Sequence, residues 1–417
     1  MRGHVYKRGE TWTAVFDVGE QPRTRCASCD WKRWGVSARS RCPECREPVE
    51  VPRERRQRSK GGFPSKAAAE DHLALRLAEI ARGAHVMPND ITVGEYLSRW
   101  LEVQRSQLEP TTWVNYRRRI ARYFEPALGG IPLQALRVQH LNALYAEIKE
   151  RGGAKGQPLS VATVRRLHAV LHKALNDAAK QDLVAYNVAS KATLPKRDIH
   201  LDEPNDKRFK AWNADELRAF LALIEGHPLE SAFVLAANTG MRRGELAGLI
   251  WEDVDLDGRQ LYVRHALGYV NKRAYLKAPK TNRPRTISID AGTVAVLRAR
   301  RRAQAVDKLA WPGEWANEWG LVFTREDGRW INPMQYTDKF RKLVEASDLP
   351  RITLHDLRHT HATLMLQAGV PVKVVADRLG HADISMTLNT YAHVLPAMDE
   401  QAVATFVQHV YRDRDVH

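Results

Sequence analysis

Long hydrophobic runs are missing from this 417-residue chain, and cysteine is scarce. No apolar stretch approaches the ~20 residues that cross a bilayer. The first residues, Met1 to Glu10, lack the apolar region of a signal peptide. The expected setting is therefore soluble and intracellular, without a membrane partner. Acidic residues are in deficit: 49 Asp and Glu stand against 65 Lys and Arg, a net charge of +16. That excess is the footprint of a polyanionic partner. Solubility alone would not require the charges to cluster, yet they do. Arg53, Arg55, Arg56, Arg58 and Lys60 form one run, Arg117, Arg118, Arg119 and Arg122 a second, and Arg298, Arg300, Arg301 and Arg302 a third.

The four cysteines all lie near the start, as Cys26, Cys29, Cys42 and Cys45. The array C-x2-C-x12-C-x2-C is close to known zinc-site spacings. A reducing compartment disfavours disulfides, and neither CxxC pair lies near a βαβ pattern. Four unrelated thiols are the bland alternative. The array predicts one structural zinc ion, with every position filled by protein and none open to water. It interrupts a small β region. Thr11 to Val18 alternates, with Trp12, Ala14, Phe16 and Val18 on one face. Val49 to Gln57 reads as a returning strand. Ser65 is a plausible N-cap for a helix from Lys66 to about Arg82, with Leu73, Leu75, Leu77 and Ile80 as its apolar residues. A small domain with so little core gains most from a metal staple.

After a linker over Gly83 to Asp90, Thr92 and Glu95 form a capping box. Helical patterns then cover Tyr96 to Gln104, Thr111 to Phe124, Val138 to Glu150 and Ser160 to Lys180. Val188 to Arg208 reads as a second linker. Beyond Trp212 the pattern is mainly helical, with strands near Gln260 to Arg264, Arg273 to Leu276 and Arg285 to Ile289. A last helix is expected over Asp399 to Tyr411, its apolar stripe being Val403, Phe406, Val407 and Val410. The expected fold class is multidomain and mainly α with small antiparallel sheets (α+β). The expected domains are 1–85, with the four-cysteine insertion at 26–45, then 90–187, 207–396 and a tail over 397–417.

Six scattered residues of the second half carry chemistry together. Arg242 sits in Thr239-Gly240-Met241-Arg242-Arg243-Gly244-Glu245, Lys280 in Pro279-Lys280-Thr281, and His355 and Arg358 in Leu354-His355-Asp356-Leu357-Arg358-His359-Thr360. His381 closes Leu379-Gly380-His381, and Tyr391 follows in Thr390-Tyr391-Ala392-His393. A phosphodiester attacked in line gains negative charge on its non-bridging oxygens. Guanidinium forks match those oxygens with paired, charge-assisted hydrogen bonds. Fixed donors are usually the largest catalytic term. A lysine can protonate the leaving oxygen, histidines can bind phosphate or move a proton, and a tyrosine can attack once a neighbour activates it. Singly, each has a bland reading: a surface arginine, a solvated helix face, a core aromatic, a helix end at Thr239-Gly240.

In one order they resemble the tyrosine recombinases, specifically phage-type integrases. The resemblance runs over roughly residues 90 to 395. It implies Arg242 and Arg358 as catalytic arginines, Lys280 as the β-hairpin lysine, and His355 and His381 as active-site histidines. It implies Tyr391 as nucleophile and Glu245 as support for the first arginine. The strands, the Gly62-Phe63-Pro64-Ser65-Lys66 phrase and the helix resemble an arm-type DNA-binding domain carrying a zinc-ribbon-like insertion. The helical block resembles a core-binding domain. The implied function is integration and excision of a mobile element through a 3′-phosphotyrosyl intermediate and a Holliday junction, with no ATP and no catalytic metal. The implied partners are double-stranded DNA attachment sites of core and arm type, a homotetramer on DNA, and a directionality factor or host DNA-bending protein. The implied location is the cytoplasm of a bacterial host cell. Whether the zinc unit touches DNA, and whether the last helix docks in cis or in trans, stays open. Tyr411 is a decoy, because no Leu-Gly-His phrase stands ten residues before it.

Three other readings compete. A chromosome-dimer or plasmid resolvase generally lacks an arm domain, which residues 1 to 85 supply. A type IB topoisomerase would relax DNA without pairing sites. A non-catalytic DNA-binding regulator would not need the six residues intact.

Overall fold

In the computed structural model the described residues are 3–34, 41–81, 89–153, 156–196, 210–280, 283–391, and the isolated positions 403, 406–408 and 410, with backbone alone at 18, 19, 21, 22 and 78–81. They fall into two compact units, Met1–Asp198 and Ile199–His417.

The first unit opens with an antiparallel sheet. Strand β2 (Thr11–Cys26) pairs with β1 (Gly3–Arg8) from Thr11 to Phe16 and with β5 (Arg53–Phe63) from Trp12 to Pro22. Its far end pairs with β3 (Lys32–Trp34) and β4 (Val49–Glu50). Ala14 and Phe16 are buried as their alternation requires, and Leu73 and Leu77 of α1 (Lys66–Ala81) pack on Phe16. Leu75 departs from expectation. It is 57% exposed, because it points off the face that meets the sheet. The side chains of Val18 and Ile80 lie outside the described residues. The returning strand also runs further than expected, through Gly61 and Gly62 to Phe63, which pairs with Trp12.

A helical bundle follows: α2 (Val93–Val103), α3 (Pro110–Arg119), α4 (Glu125–Leu128), α5 (Val138–Arg151) and α6 (Val161–Lys180). The capping box at Thr92 and Glu95 forms. Between α3 and α4 the chain makes one π turn over Ile120–Phe124, where a single helix was expected. Leu97, Phe124, Leu141, Leu167 and Leu171 fill the core. The expected linker begins too early. Val188 and Ala189 lie in a 3-10 turn buried in that core, and Leu194 packs against it. Apolar side chains at those three positions explain why. Of the expected linkers, residues 83–88 and 197–209 lie outside the described residues.

The second unit comprises α7 (Ala214–Leu223), α8 (Glu230–Thr239), α9 (Arg243–Ala247), β6 (Val254–Asp255), β7 (Gln260–Val263), β8 (Ala266–Val270), β9 (Arg273–Lys277), β10 (Arg285–Ser288), α10 (Ala291–Ala310), α11 (Pro333–Glu345), α12 (Leu354–Gln367), α13 (Val372–Leu379) and α14 (Ile384–Tyr391). Its core is an aromatic cluster of Trp212, Phe220, Phe233 and Phe340, with Phe340 5.1 Å from Phe220 between ring centroids. Trp212 ties the start of the unit to α12, its backbone N–H donating to Thr360 Oγ1 at 3.0 Å. β10, β7 and β6 form one sheet and β8 and β9 another. Among the described residues β9 pairs with β8 and β10 with β7, and not with each other, so Lys280 lies on a connection between two sheets rather than in the turn of a β9–β10 hairpin. Of the last helix, only 403, 406–408 and 410 are described, all helical, with Val403, Phe406, Val407 and Val410 exposed. Tyr411 lies outside the described residues.

Phe340 is fully buried. Phe340→Ala should cost the second unit about 3–5 kcal/mol, the range for a buried Phe cut to Ala. Urea unfolding followed by tryptophan fluorescence reads this out. Leu75→Ser, on the exposed face, should leave the unfolding midpoint unchanged.

Candidate active site

The site is built on two helix ends. α8 stops at Gly240, whose φ of 63° is left-handed, and α13 stops at Gly380 with φ 67°. Glycine suits that conformation, and here it also suits the space. A Cβ on Gly240 would lie 2.8 Å from Leu379, and one on Gly380 would lie 2.9 Å from the Arg285 guanidinium. Each end presents carbonyls that the helix cannot satisfy. Arg358, on α12 and only 4% exposed, donates to Gly240 O and to Leu379 O, both at 2.7 Å. Arg242 donates to Gly380 O at 3.1 Å. Cations at helix C-termini also meet the negative end of the dipole. Burial, then the charge of Arg242, pulls the Arg358 guanidinium down to about 9.

Arg242 is the N-cap of α9. Its backbone N–H donates to Glu245 Oε2 at 2.9 Å, and its guanidinium donates to Oε1 at 2.8 Å. Glu245 is buried and takes a second arginine. Arg285 donates to Oε1 at 3.2 Å and Oε2 at 2.7 Å. Burial opposes ionisation of this carboxyl, but hydrogen bonding and charge from Arg285, then Arg242, outweigh it and hold the group below its ordinary range.

The remaining residues surround these arginines. His355 is exposed at the start of α12. The residue is open to solvent but its ring is partly desolvated, and that, then the charge of Arg358, lowers its pKa; Asp356 opposes the fall, and Arg242 and Lys280 add to it. His381 follows Gly380, shares a hydrogen bond with Thr387 Oγ1 at 2.7 Å through Nδ1, and is pushed down to about 4 by burial, then Arg358 and Arg242. Tyr391 ends α14 with 1% exposure, and burial pushes its phenol up to about 12 against the pull of Arg358. Its hydroxyl lies 2.8 Å from His359 Nδ1.

Three side chains of this site escaped the sequence reading. Arg285 had a signal, since it alternates at period two with Ile287 on β10 and Ile289 just beyond it. His359 stands one helical turn after His355, and Arg378 donates to His361 Nε2 at 3.1 Å and to Asn238 O at 2.9 Å. A cavity of about 900 Å³ lined by His227, Ser231, Arg300, Asp327 and Lys339 includes none of the six residues.

The basic runs have mixed fates. Arg53, Arg117 and Arg118 are exposed, Arg58 is half-buried, and Lys60 lies over Phe63. Arg55 donates to the buried Asp17 at 2.6 Å, Arg56 stacks on Trp34, and Arg119 reaches Arg166 O at 3.4 Å. The third run is not a free phosphate-binding patch. Arg300 is bound to Val322 O and Thr324, Arg298 to Asp257, and Arg301 lies over Trp251. Helical phase turns Arg300 inward, which a run of like charges conceals.

The four cysteines converge. Their Sγ atoms lie within 4.8 Å of one another, with Cys26 and Cys45 3.3 Å apart and Cys29 3.6 Å from Cys42. Backbone N–H groups of Ser28 and Glu44 donate to Cys26 and Cys42 Sγ at 3.3 and 3.4 Å. A zinc–sulfur bond of about 2.3 Å requires sulfurs roughly 3.8 Å apart in a tetrahedron, so the cluster fits a four-thiolate metal site.

Replacing Glu245 with Gln should cost the second unit about 3–5 kcal/mol at neutral pH, because it leaves buried arginine charge uncompensated. A carboxyl held below its ordinary range contributes stability that is present above about pH 4.3 and lost as pH falls through its folded pKa. The gap between wild type and variant should thus shrink in acid. Urea midpoints across pH measure it; a neutral substitution at pH 7 would rule out the bridging role.

Residues 210–398 match the phage integrase family, and residues 92–148 match the phage integrase N-terminal SAM-like domain. A tyrosine recombinase XerC-like protein of Caldanaerobacter subterraneus subsp. tengcongensis is 30% identical over 357 residues, covering 82% of this chain and 89% of its own. Among solved structures, the Tn1549 transposon integrase in complex with transposon right end DNA superposes with a TM-score of 0.62 at 22% identity, covering 76% of this chain and 99% of its own. A lambda integrase tetramer bound to a Holliday junction gives 0.53 at 18% identity, over 84% and 90%. The arginines anchored on two helix ends, the buried tyrosine and these likenesses agree: the chain belongs to the phage integrase family and is a tyrosine site-specific recombinase.

Proposed function

We propose that Tyr391 cuts one strand of a double-stranded DNA site, forming a 3′-phosphotyrosyl bond and a free 5′ hydroxyl. Arg242 and Arg358 hold the non-bridging oxygens. A guanidinium has five donors, so each fork can serve helix carbonyls and a phosphate together. Lys280, on its connection between sheets, protonates the leaving 5′ oxygen, and His355 and His381 steady the phosphate. Glu245 positions Arg242. The phosphotyrosyl bond keeps the energy of the broken diester, so rejoining needs neither ATP nor a catalytic metal. The observation that carries this reading is the convergence of Arg242 and Arg358 on Gly240, Leu379 and Gly380, with Tyr391 under the charge of Arg358.

The wider assembly is a proposal too. Residues 1–85 form an arm-binding domain, 90–187 a core-binding domain, 207–396 the catalytic domain and 397–417 a tail. Four protomers pair two attachment sites through a Holliday junction, integrating or excising a mobile element in a bacterial cytoplasm. A directionality factor or host DNA-bending protein sets the direction. The junction-bound lambda integrase tetramer supports this arrangement. Cys26, Cys29, Cys42 and Cys45 hold one structural zinc ion, which fastens the far end of β2 and has no part in the chemistry.

Tyr391→Phe should abolish covalent protein–DNA adducts on a nicked suicide substrate while leaving DNA binding nearly intact. An adduct formed by this variant would remove Tyr391 from the role.

The metal reading gives a separate expectation. Full-length protein purified under reducing conditions should carry one zinc per chain by elemental analysis, and changing Cys26 and Cys29 to Ser should abolish it. Arm-site affinity should fall with it, since metal binding is folding free energy for a small domain. Core-site cleavage should persist. Wild-type protein without zinc would overturn the site.

A further inference from the structure

We infer that His359 is the base that takes the phenol proton from Tyr391 when the tyrosine attacks DNA. The inference rests on the nucleophilic role of Tyr391 proposed above.

The geometry is direct. His359 Nδ1 lies 2.8 Å from Tyr391 Oη, and the rings are 5.8 Å apart at 55°. Both partners are fixed by the fold: His359 follows Arg358 on α12, and Tyr391 is buried at the end of α14. The groups facing His359 come from several directions. On its own helix are His355, Asp356 and Arg358, with the His355 ring 5.2 Å away. His381, after α13, feels its charge, and Tyr391 faces it from α14. Burial, then His355 and Arg358, hold the imidazole down to about 4, and the opposing Asp356 does not restore it. The ring is therefore neutral under working conditions, with one nitrogen able to accept. A phenol pushed up to about 12 is almost wholly protonated there and needs an acceptor in hydrogen-bond reach.

Neither of the two histidines picked out by sequence has such a contact with the nucleophile. His381 Nδ1 is engaged with Thr387, and His355 stands exposed beside the arginines and Lys280. In the forward step Oη forms a bond to phosphorus and the bond from phosphorus to the 5′ oxygen breaks. The phenol proton passes to His359 Nδ1, and the leaving oxygen takes its own proton from Lys280. In rejoining, the 5′ hydroxyl gives its proton back to Lys280 as it attacks phosphorus, the bond from phosphorus to Oη breaks, and His359 returns its proton to the departing phenolate. Protons and electron pairs balance without a further reactant.

The test uses full-length protein and suicide substrates. His359→Asn keeps an acceptor atom near the Nδ1 position but cannot take up a proton. His359→Ala removes both. Each should bind DNA like wild type and cleave about 10²- to 10⁴-fold more slowly, the usual contribution of a positioned base. Between about pH 6 and 9 the wild-type rate should be flat. In both variants it should rise tenfold per pH unit, because hydroxide must now remove the phenol proton. A 5′-bridging sulfur substrate, whose leaving group needs no proton, should rescue Lys280→Ala but neither His359 variant. Wild-type rates in His359→Asn would overturn the proposal and leave a purely positioning contact. Slow cleavage with a flat pH profile would overturn it in the same way. Faster cleavage by His359→Ala would show instead that the contact restrains the tyrosine. Adducts in Tyr391→Phe would refute the underlying assignment and not this step alone.

Discussion

One buried carboxylate sets the geometry of this recombinase. Glu245 is 1% exposed and receives three groups: the backbone N–H of Arg242, its guanidinium, and the guanidinium of Arg285. A carboxylate taken out of water is costly unless its lone pairs are filled and its charge is met. Here both conditions hold, and meeting them locks Arg242 at the head of α9. Arg285 carries the link onward. Its Nε donates to Arg378 O at 2.7 Å, joining β10 to the last turn of α13. That turn presents the carbonyls of Leu379 and Gly380 to Arg358 and Arg242. Sheet, helix ends and the arginines Arg242 and Arg358 are thus parts of one hydrogen-bonded circuit.

The circuit leaves the site rich in positive charge. Arg242 and Arg285 meet on one carboxylate and Arg358 on two carbonyl dipoles, and burial, then the charges of Arg358 and Arg242, lowers the pKa of His355 and His381. Such an arrangement is costly in the free protein and is relieved by an anion. In the proposed reaction a DNA phosphate would supply that anion, gaining still more charge density as the transition state forms, where fixed donors help most. Preorganisation explains why these arginines are anchored on backbone carbonyls. A flexible lysine or arginine would have to be ordered at the moment of reaction, losing side-chain entropy in the process.

Much of this was legible in the sequence, for identifiable reasons. Arg242, Glu245, Arg358 and Tyr391 each sit in a local phrase, and capping chemistry at Thr92 fixes a helix start through contacts three residues apart. What was not legible depends on distant pairing. Strand alternation cannot reveal that β9 pairs with β8 and β10 with β7, which turns the expected hairpin at Lys280 into a connection between two sheets. Arg300 belongs to a basic run by sequence, yet the phase of α10 turns it inward onto Val322 O. Leu75 has the right chemistry for a core and the wrong helical phase. His359 reads as a polar face residue until the fold carries Tyr391 to it.

The same physics operates with less margin at the N-terminus. There the apolar cluster among the described side chains is Phe16 with Leu73 and Leu77, far smaller than the aromatic cluster around Phe340. The sheet compensates with polar ties that also arrange its cations. Arg55 is held by buried Asp17, and Trp34 lies between Arg23 and Arg56, each guanidinium 4.8 Å from a Trp34 ring centroid. Trp34 stands on β3, which pairs with β2 just before Cys26. Whatever fastens the cysteine cluster therefore also fixes Trp34, and through it the direction of Arg23 and Arg56. A metal staple of this kind would act on DNA binding through the positions of arginines rather than through charge of its own, since four thiolates more than neutralise a divalent ion.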